Sequence, residues 1–553
     1  MQNATSTAGA RSGGRLLVDA LRVHGVDRLF CVPGESYLEV LDALYDTPEI
    51  ALVVAKHEGA AANMAEADGK LTGRPGVCFV TRGPGATHAS IGVHTAYHDS
   101  TPMVLFVGQV PRDVRGREAF QEVEFRQMFA PLAKWVAEIE SADRIPEYLL
   151  RAFQVATSGR PGPVVLSLPE DVLAEESSAC DTRPYQPAQT VPHDREIAAV
   201  RDELQRASAP LLVVGGSSWS DAGCAALARF AEANALPVLA SFRRQDLIDN
   251  RHPCYAGHLS LGLPPFLQQR VKTADLIIAL GSRLGDVTTM TYSVLKPARI
   301  AARLVHVHPD ANELGRVYQA DVPIVAAPAA AAVRFAEIPP VASPPWREWT
   351  QSAHREYEKF IAVPEKGPQQ GVDMAAVIRH LADALPENAT IANGAGNFTV
   401  WVHRFFTYKQ PHTELAPTSG AMGYGFPAAI AAALRHPERT TVCVAGDGDF
   451  LMYPQELATA AQYGARLLVL IVNNGMYGTI RMHQERRFPG RVSGTELAGP
   501  DFVALAKAFG AYAERVETTD AFAPALERAR AAGGSAVLEL RVDSHQITPD
   551  RRI

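Results

Sequence analysis

TTVCVAGDGDFLMYPQELATAAQYGARLLVLIVNNGMYG, residues 440–478, is the stretch whose reading decides the fold. Val442 to Ala445 form a short apolar run with β-branched members, as a buried strand requires, and Gly446-Asp447-Gly448 breaks it at once. Pro454 suits a first helical position and opens a helical segment ending near Gly464. Leu467 to Val472 then supply a second apolar strand that runs into Asn473-Asn474. Strand, helix and strand make a βαβ unit, and its right-handed crossover predicts parallel strands. Asp447 and Asn474, 27 residues apart, then emerge together at the carboxyl edge, where open α/β sheets bind ligands. Mg²⁺ takes hard oxygen ligands in an octahedron, usually one or two from protein side chains and the rest from phosphate and water. Asp447 offers a carboxylate oxygen, Asn474 an amide oxygen and Met476 a backbone carbonyl. Gly446 and Gly448 let a phosphate approach the main-chain N–H groups. A lone GDG is equally well a plain strand-to-turn junction. The ordered series GDG, helix, apolar strand, NN is far more specific.

Working outward, 553 residues are too many for one core, and three domains are expected. A hydrophobic fraction of 47% with 20% charged residues is that of a soluble globular protein. The formal charge of −7, without a basic stripe, argues against a nucleic-acid partner. The polar opening MQNATSTAGARSGG does not read as a signal peptide, and no apolar run reaches membrane-spanning length. Cys31, Cys78, Cys180, Cys224, Cys254 and Cys443 lie far apart without a CxxC, as reduced packing residues of a cytoplasmic protein do. Two proline-rich stretches, 182–194 and 337–346, divide the chain into expected domains at 1–183, 190–340 and 365–553. Each repeats apolar strand, Gly-containing turn and Ala-rich helix. The fold class is α/β, with three doubly wound parallel sheets.

In the first segment, Arg28 to Val32 reads as a strand ending at Pro33-Gly34-Glu35-Ser36, and Ala51 to Ala55 as another ending at Lys56-His57-Glu58-Gly59. An alanine-rich helix with a glycine stop follows, so Glu58 stands on the ligand edge, where it is either a functional carboxylate or a helix-capping one. Residues 77–110 give two strands with a Gly-Pro-Gly turn and a helix between them, and Gln109 is a polar residue placed for the pocket. His88, His94 and His98 at helical spacing read as solvated or packed histidines rather than metal ligands. The middle segment has glycines after strands at Gly215-Gly216 and Gly281-Ser282-Arg283 but no GxGxxG, so its dinucleotide signal is weak.

The series from Gly446 to Asn474 resembles the cofactor motif of the thiamine-diphosphate-dependent decarboxylases, carboligases and transketolases. The resemblance runs from Arg15 to about Val542, and the wording of residues 77–110 and of AFQEVEF (119–125) is close to the acetolactate (acetohydroxyacid) synthases. It implies thiamine diphosphate and Mg²⁺ as cofactors, with Asp447, Asn474 and Met476 on the metal. It also implies Ala395, Gly396, Asn397, Gly446, Gly448 and Asp449 near the diphosphate, the Gly420 carbonyl at the 4′-amino group, and Met422 wedged between the two rings. The 365–553 region would then be the diphosphate-binding domain and 1–183 the pyrimidine-binding domain. In the latter, Glu58 bonds N1′ and promotes the imino tautomer that activates the cofactor.

Phe120 and Gln121 match a Phe-Gln pair that the synthases keep near the reacting centre, where pyruvate decarboxylases carry two adjacent histidines. Glu35 departs toward the decarboxylases, since the synthases usually have Gly there; it either steers protonation or caps the next helix. These four, Glu58, Phe120, Gln121 and Glu35, are the expected catalytic residues. In the synthases the central domain binds FAD, with Gly215-Gly216, Ser241-Phe242-Arg243 and Gly281-Ser282-Arg283 in comparable places. SFRRQDLIDN and HVHPD differ from the usual flavin loops, so FAD stands against an empty or ADP-binding domain. His483 falls where the synthases carry a substrate-selecting Trp. The implied activity is decarboxylation of a 2-oxo acid such as pyruvate followed by addition to a second carbonyl acceptor. The alternatives are a 2-oxo acid decarboxylase, an aldehyde carboligase or a non-catalytic homologue. The implied assembly is a homodimer or homotetramer with sites at the subunit interface.

Overall fold

The computed structural model describes residues 9–553. They form two compact units. One runs to Ala188 and includes Ile430–Arg435 and Tyr453–Gly464; the other comprises Gln189–Ala429, His436–Met452 and Ala465–Ile553.

The first unit is built on a six-stranded sheet of β1 (Arg28–Cys31), β2 (Ala51–Val54), β3 (Gly76–Val80), β4 (Met103–Gln109), β5 (Trp135–Glu138) and β6 (Pro163–Pro169). The strands are parallel and lie in the order β2-β1-β3-β4-β6-β5. The central strands β3, β4 and β6 are buried along their whole length, as strands covered by helices on both faces must be. At the β1/β3 boundary the connections diverge to opposite sides, so the loops after these two strands frame a crevice. Glu35 and Arg82 stand on those two loops.

Two helices follow. Helix α1 (Glu58–Thr72) is capped by His57, whose Nδ1 accepts the Gly59 N–H, and it stops at the left-handed Gly73. Helix α2 (Gly83–Asp99) begins at Gly83 itself, so the expected Gly-Pro-Gly turn is the first turn of the helix, with Pro84 where a missing N–H costs nothing. The two helices touch at their backbones. A Cβ on Gly92 would lie 2.4 Å from the Ala62 Cβ and 2.7 Å from its carbonyl carbon. The alanine-rich composition of α1 therefore serves close packing, and Gly59 to Gly69 are all buried.

In the second unit the middle sheet comprises β7 (Pro210–Val214), β8 (Val238–Ala240), β9 (Tyr255–His258), β10 (Leu276–Leu280), β11 (Arg303–His308) and β12 (Val322–Val325). Its parallel order is β9-β8-β7-β10-β11-β12, the arrangement of dinucleotide-binding sheets. Gly215 and Gly281 are pressed against each other's loops, since a Cβ on Gly281 would sit 2.4 Å from the Gly215 carbonyl oxygen. The run SFRRQDLIDN after β8 has a task of its own. Gln245 N–H donates to Glu414 at 2.6 Å, the Asp246 carboxylate accepts the Thr413 N–H at 3.1 Å, and the Asn250 side chain accepts the Tyr408 N–H at 2.9 Å. Burial, with Asp246 close by, pushes the Glu414 carboxyl up from its ordinary value.

The last sheet contains β13 (Thr390–Asn393), β14 (Glu414–Leu415), β15 (Thr441–Gly446), β16 (Leu468–Asn473), β17 (Tyr512–Val516) and β18 (Ala536–Arg541), all parallel in the order β14-β13-β15-β16-β18-β17. This is the order of the first sheet repeated, with its switch point between β13 and β15. The expected βαβ unit is present, β15 pairing with β16 from Val442–Leu468 to Gly446–Val472. Its helical part begins as a tight turn at Pro454–Glu456 and continues as Leu457–Gln462. A helix not expected from the sequence, α3 (Asp447–Phe450), starts directly on Asp447.

Replacing Gly92 by valine should force α1 and α2 apart at a cost of about 1–3 kcal/mol. Differential scanning calorimetry should show a lowered unfolding transition; an unchanged one would contradict the Gly92–Ala62 contact.

Candidate active site

Three loops converge at the carboxyl edge of the last sheet. The loop after β13 begins with Gly394, where a Cβ would lie 2.2 Å from the Asp449 Oδ1. Lacking that atom, the loop lets Asp449 reach the Ala395 N–H at 3.0 Å, and the same oxygen accepts the Gly423 N–H at 2.9 Å. Burial pushes the Asp449 carboxyl up to about 7 against the pull of those two N–H groups. Asp449 thus ties the 395–397 loop, the 420–423 loop and the start of α3 together.

Asp447, two residues earlier, is buried as well. Its Oδ1 accepts the Gly448 N–H at 3.0 Å and its Oδ2 the Gly475 N–H at 2.8 Å. Burial still raises it to about 6, the backbone donors and the charge of Arg541 opposing. Beside it, Asn474 Oδ1 accepts the Met476 N–H at 3.1 Å, and the Met476 carbonyl accepts the Gly478 N–H at 2.9 Å. Asn473, the first of the asparagine pair, turns away to donate to Glu539 at 2.8 Å. Asn397 accepts a hydrogen bond from the Thr479 hydroxyl at 2.9 Å. Gly448 is held against Tyr477, where a Cβ would lie 2.6 Å from the ring.

These groups wall a cavity of about 320 Å³. Ala395, Gly396, Asn397, Gly420, Met422, Gly446, Asp447, Gly448, Asp449, Asn474 and Met476 all line it, so every residue expected on the metal or around the diphosphate is brought to one place. Phe398, Trp401, Thr479 and Ile480 complete its walls together with two stretches the sequence did not single out, 364–375 and 542–549. His483 is exposed and not among the lining residues, although it shares a helix, Gly478–Arg487, with Thr479 and Ile480. The donor set suits a hard divalent cation: a buried carboxylate that no cationic side chain among the described residues bonds, an amide oxygen and a main-chain carbonyl.

In the first unit, Glu58 opens α1 and its side chain is 15% exposed. Its Oε2 lies 2.9 Å from the His88 Nδ1. A Cβ on Gly85 would be 3.6 Å from the Glu58 Oε1, so the carboxylate lies over the first turn of α2. The His88 ring stacks on His57 with centroids 4.5 Å apart, and donor atoms of His57, Glu58 and His88 all fall within 4.8 Å of one another. His88, half exposed and stacked on His57, is solvated and packed as expected and adds the contact with Glu58, while His94 and His98 pair with each other, their centroids 4.5 Å apart.

Of the other expected groups, Glu35 begins a short turn, Glu35–Tyr37, and pairs with Arg82 at 3.1 Å. Its own backbone N–H and Arg82 hold its carboxyl below the usual range. Gln121 adopts a left-handed backbone with φ 65°, and its carbonyl accepts the Gly83 N–H at 3.1 Å. Its side-chain oxygen is buried without a hydrogen-bond partner among the described residues, and its neighbour Phe120 is 74% exposed. Gln109, expected in the pocket, is instead fully buried and consumed by its surroundings. Its amide donates to the Val123 carbonyl and accepts the Val110 N–H, both at 2.9 Å.

Comparison with known proteins agrees with this geometry. Residues 11–128 match the thiamine pyrophosphate enzyme N-terminal TPP binding domain, 197–335 the central domain and 394–540 the C-terminal TPP binding domain. The chain is 34% identical to the acetolactate synthase large subunit of Parasynechococcus marenigrum, over 92% of this chain and 84% of that protein. It is 32% identical to the probable acetolactate synthase large subunit of Methanocaldococcus jannaschii, over 97% and 93% of the two chains. The acetolactate synthase isozyme 2 large subunit of Escherichia coli is 30% identical, over 96% of each. With all three domains matched in order along the chain, the protein belongs to the thiamine pyrophosphate (thiamine diphosphate) enzyme family.

Proposed function

We propose that the protein is a thiamine-diphosphate- and Mg²⁺-dependent carboligase acting on 2-oxo acids, similar to acetolactate synthase. The observation that carries this reading is the convergence of Asp447, Asn474 and the Met476 carbonyl on a glycine-lined cavity. There Asp447, Asn474 and Met476 would hold Mg²⁺. The main chain around Gly446, Gly448, Gly396 and Asn397 would receive the diphosphate, and Gly420 and Met422 would meet the ring portion. Thiamine diphosphate supplies the carbon nucleophile and electron sink that 2-oxo acid decarboxylation needs. Glu58 would hold a proton toward the pyrimidine N1′, in a homodimer or homotetramer whose copies complete one another's sites.

Glu35, whose carboxyl its own N–H and Arg82 hold below the usual range, would stand beside the reacting centre, where it either steers protonation or caps its own short turn. Phe120 and Gln121 would face the acceptor, and the partnerless Gln121 amide oxygen offers a substrate hydroxyl an acceptor. FAD is not required by this reading. The middle sheet has the strand order of dinucleotide-binding sheets, and a flavin spectrum of the purified protein would reveal a bound flavin. Among the described residues no helix is long and apolar enough to cross a membrane, in keeping with a cytoplasmic enzyme.

Mass spectrometry of the products formed from a panel of 2-oxo acids, with thiamine diphosphate and Mg²⁺ supplied, should find acetolactate from pyruvate. Acetaldehyde alone would replace this reading with that of a decarboxylase. Glu58→Gln should lower turnover about 10²–10⁴-fold, the usual worth of a positioned proton-transfer group, and unchanged turnover would remove Glu58 from the mechanism. Because burial raises Asp447 to about 6, Mg²⁺ has to displace a proton below that pH. Calorimetric affinity for Mg²⁺ with thiamine diphosphate should thus fall up to about tenfold per unit as the pH drops under 6 and level off above it. Asp447→Asn should weaken binding and flatten the profile; a wild-type affinity independent of pH would contradict the assignment.

A further inference from the structure

The structure assigns Arg243, on the loop after β8, as a positioning residue that holds the Pro417–Gly420 turn, and with it the wall of the cavity formed by Gly420 and Met422. This rests on the proposed function for what Gly420 and Met422 would meet. The contact itself lies within the second unit, and Arg243 and Pro417 are already buried inside one chain, so it does not depend on what a second copy covers.

The Pro417 carbonyl is the acceptor on which the turn closes. It takes the Gly420 N–H at 3.1 Å, and the Arg243 Nη1–H donates to the same oxygen. Gly420 has φ 70°, a left-handed conformation that suits glycine, and Gly423 beyond it is tied to Asp449 at 2.9 Å. The stretch carrying Gly420 and Met422 is thus fixed at both ends. Asp449 holds one end, and a side chain from the loop of another sheet holds the other.

Arg243 is itself held in place. Its backbone is left-handed, with φ 59°, which a residue with a Cβ keeps only where its surroundings impose it. Those surroundings are a reciprocal set of bonds across the 245–246 and 413–414 segments. The Gln245 N–H donates to the Glu414 Oε2 at 2.6 Å, and the Asp246 Oδ2 accepts the N–H groups of Thr413 at 3.1 Å and Glu414 at 3.3 Å. The Gln245 side-chain amide donates to the His403 carbonyl at 2.9 Å, on the helix Phe398–Phe405. Strand β14 is a two-residue edge strand, so its sheet pairing alone is a weak anchor for the turn that follows it.

The charge fits the same role. Burial raises the Asp449 and the Glu414 carboxyls, and the positive charge of Arg243 opposes that rise in each. One guanidinium therefore lies within electrostatic reach of both the Asp449 knot and the Glu414 contact. A cation buried this far is tolerated when its bonds are strong, and a charge-assisted bond to a main-chain carbonyl is of that kind. Arg243 belongs to the run compared with the flavin loops of the synthases, and its Nη1 is given over to the cavity's own turn.

Calorimetry on the intact protein separates this role from general support of the fold. With Mg²⁺ present, the affinity for thiamine diphosphate is compared with that for inorganic pyrophosphate, which has the anionic end of the cofactor and no rings. Arg243→Met should lose about tenfold or more in thiamine diphosphate affinity, the worth of one charge-assisted hydrogen bond, and stay within about twofold of wild type for pyrophosphate. Arg243→Lys, which restores a charged donor without the fork, should recover thiamine diphosphate binding to within about threefold of wild type. If Arg243→Met does not fold, Arg243→Lys carries the test alone, with a loss of about twofold to threefold for thiamine diphosphate and none for pyrophosphate. A ratio of the two affinities equal to that of wild type, whether both are kept or both fall together, would overturn the assignment and leave the proposed function standing. Failure of the wild-type protein to bind thiamine diphosphate would remove both.

Discussion

The carboxyl edge of the last sheet depends on one buried side chain. Asp449 is enclosed so completely that its carboxyl rises to about 7, yet it spends a single oxygen on two N–H groups from two different loops. Such a group is costly to bury and is tolerated only when its hydrogen bonds are met. Here the bonds themselves shape the edge. The Gly394 loop can approach only because it lacks a Cβ, and the 420–423 loop is drawn to the same oxygen. Asp447 then needs no further device to face the cavity, because α3 begins on it and aims its backbone donors inward.

The two outer sheets share one strand order and use it differently. In the last sheet the switch point between β13 and β15 opens onto backbone and hard oxygens, the environment of an anion and its cation. In the first sheet the corresponding boundary between β1 and β3 is bordered by Glu35 and Arg82, paired at 3.1 Å, while Glu58 and His88 lie on α1 and α2 beyond β2 and β3. On the proposed reading, one topology therefore serves phosphate chemistry at one edge and proton chemistry at the other. The difference lies wholly in the loop residues, as expected where function is grafted onto a fold.

What could be read from the sequence was whatever is local and repetitive. The parallel sheets, the βαβ unit and the Asp447–Asn474 edge follow from apolar runs cut by glycine at the right spacing, and each is present. The readings that failed were of residues whose surroundings come from elsewhere in the chain. Gln109 is as polar as a pocket residue, but Val123 satisfies it. The Gly-Pro-Gly of α2 is a helix start because proline is as welcome in a first helical turn as in a loop. SFRRQDLIDN looks merely atypical until Glu414 and Tyr408 are seen to receive it. The helical spacing of His88 with His94 and His98 suggested solvated or packed rings and nothing of what they touch. The actual partners of His88, Glu58 and His57, lie on a helix start 30 residues away.

The cavity walls carry a consequence for how the protein is made. Their residues run from Pro364 to Pro549, and Val542, Asp543, Gln546, Ile547 and Pro549 contribute to them as fully as the loops after β13 and β15. A ribosome releases these segments in sequence, and domains fold in the order in which they emerge. The first unit's sheet and the middle sheet can be complete while the cavity still lacks a wall. On the proposed reading, the growing chain thus has nowhere to keep a diphosphate until residue 549 has cleared the exit tunnel, which puts cofactor capture after all three sheets have been made.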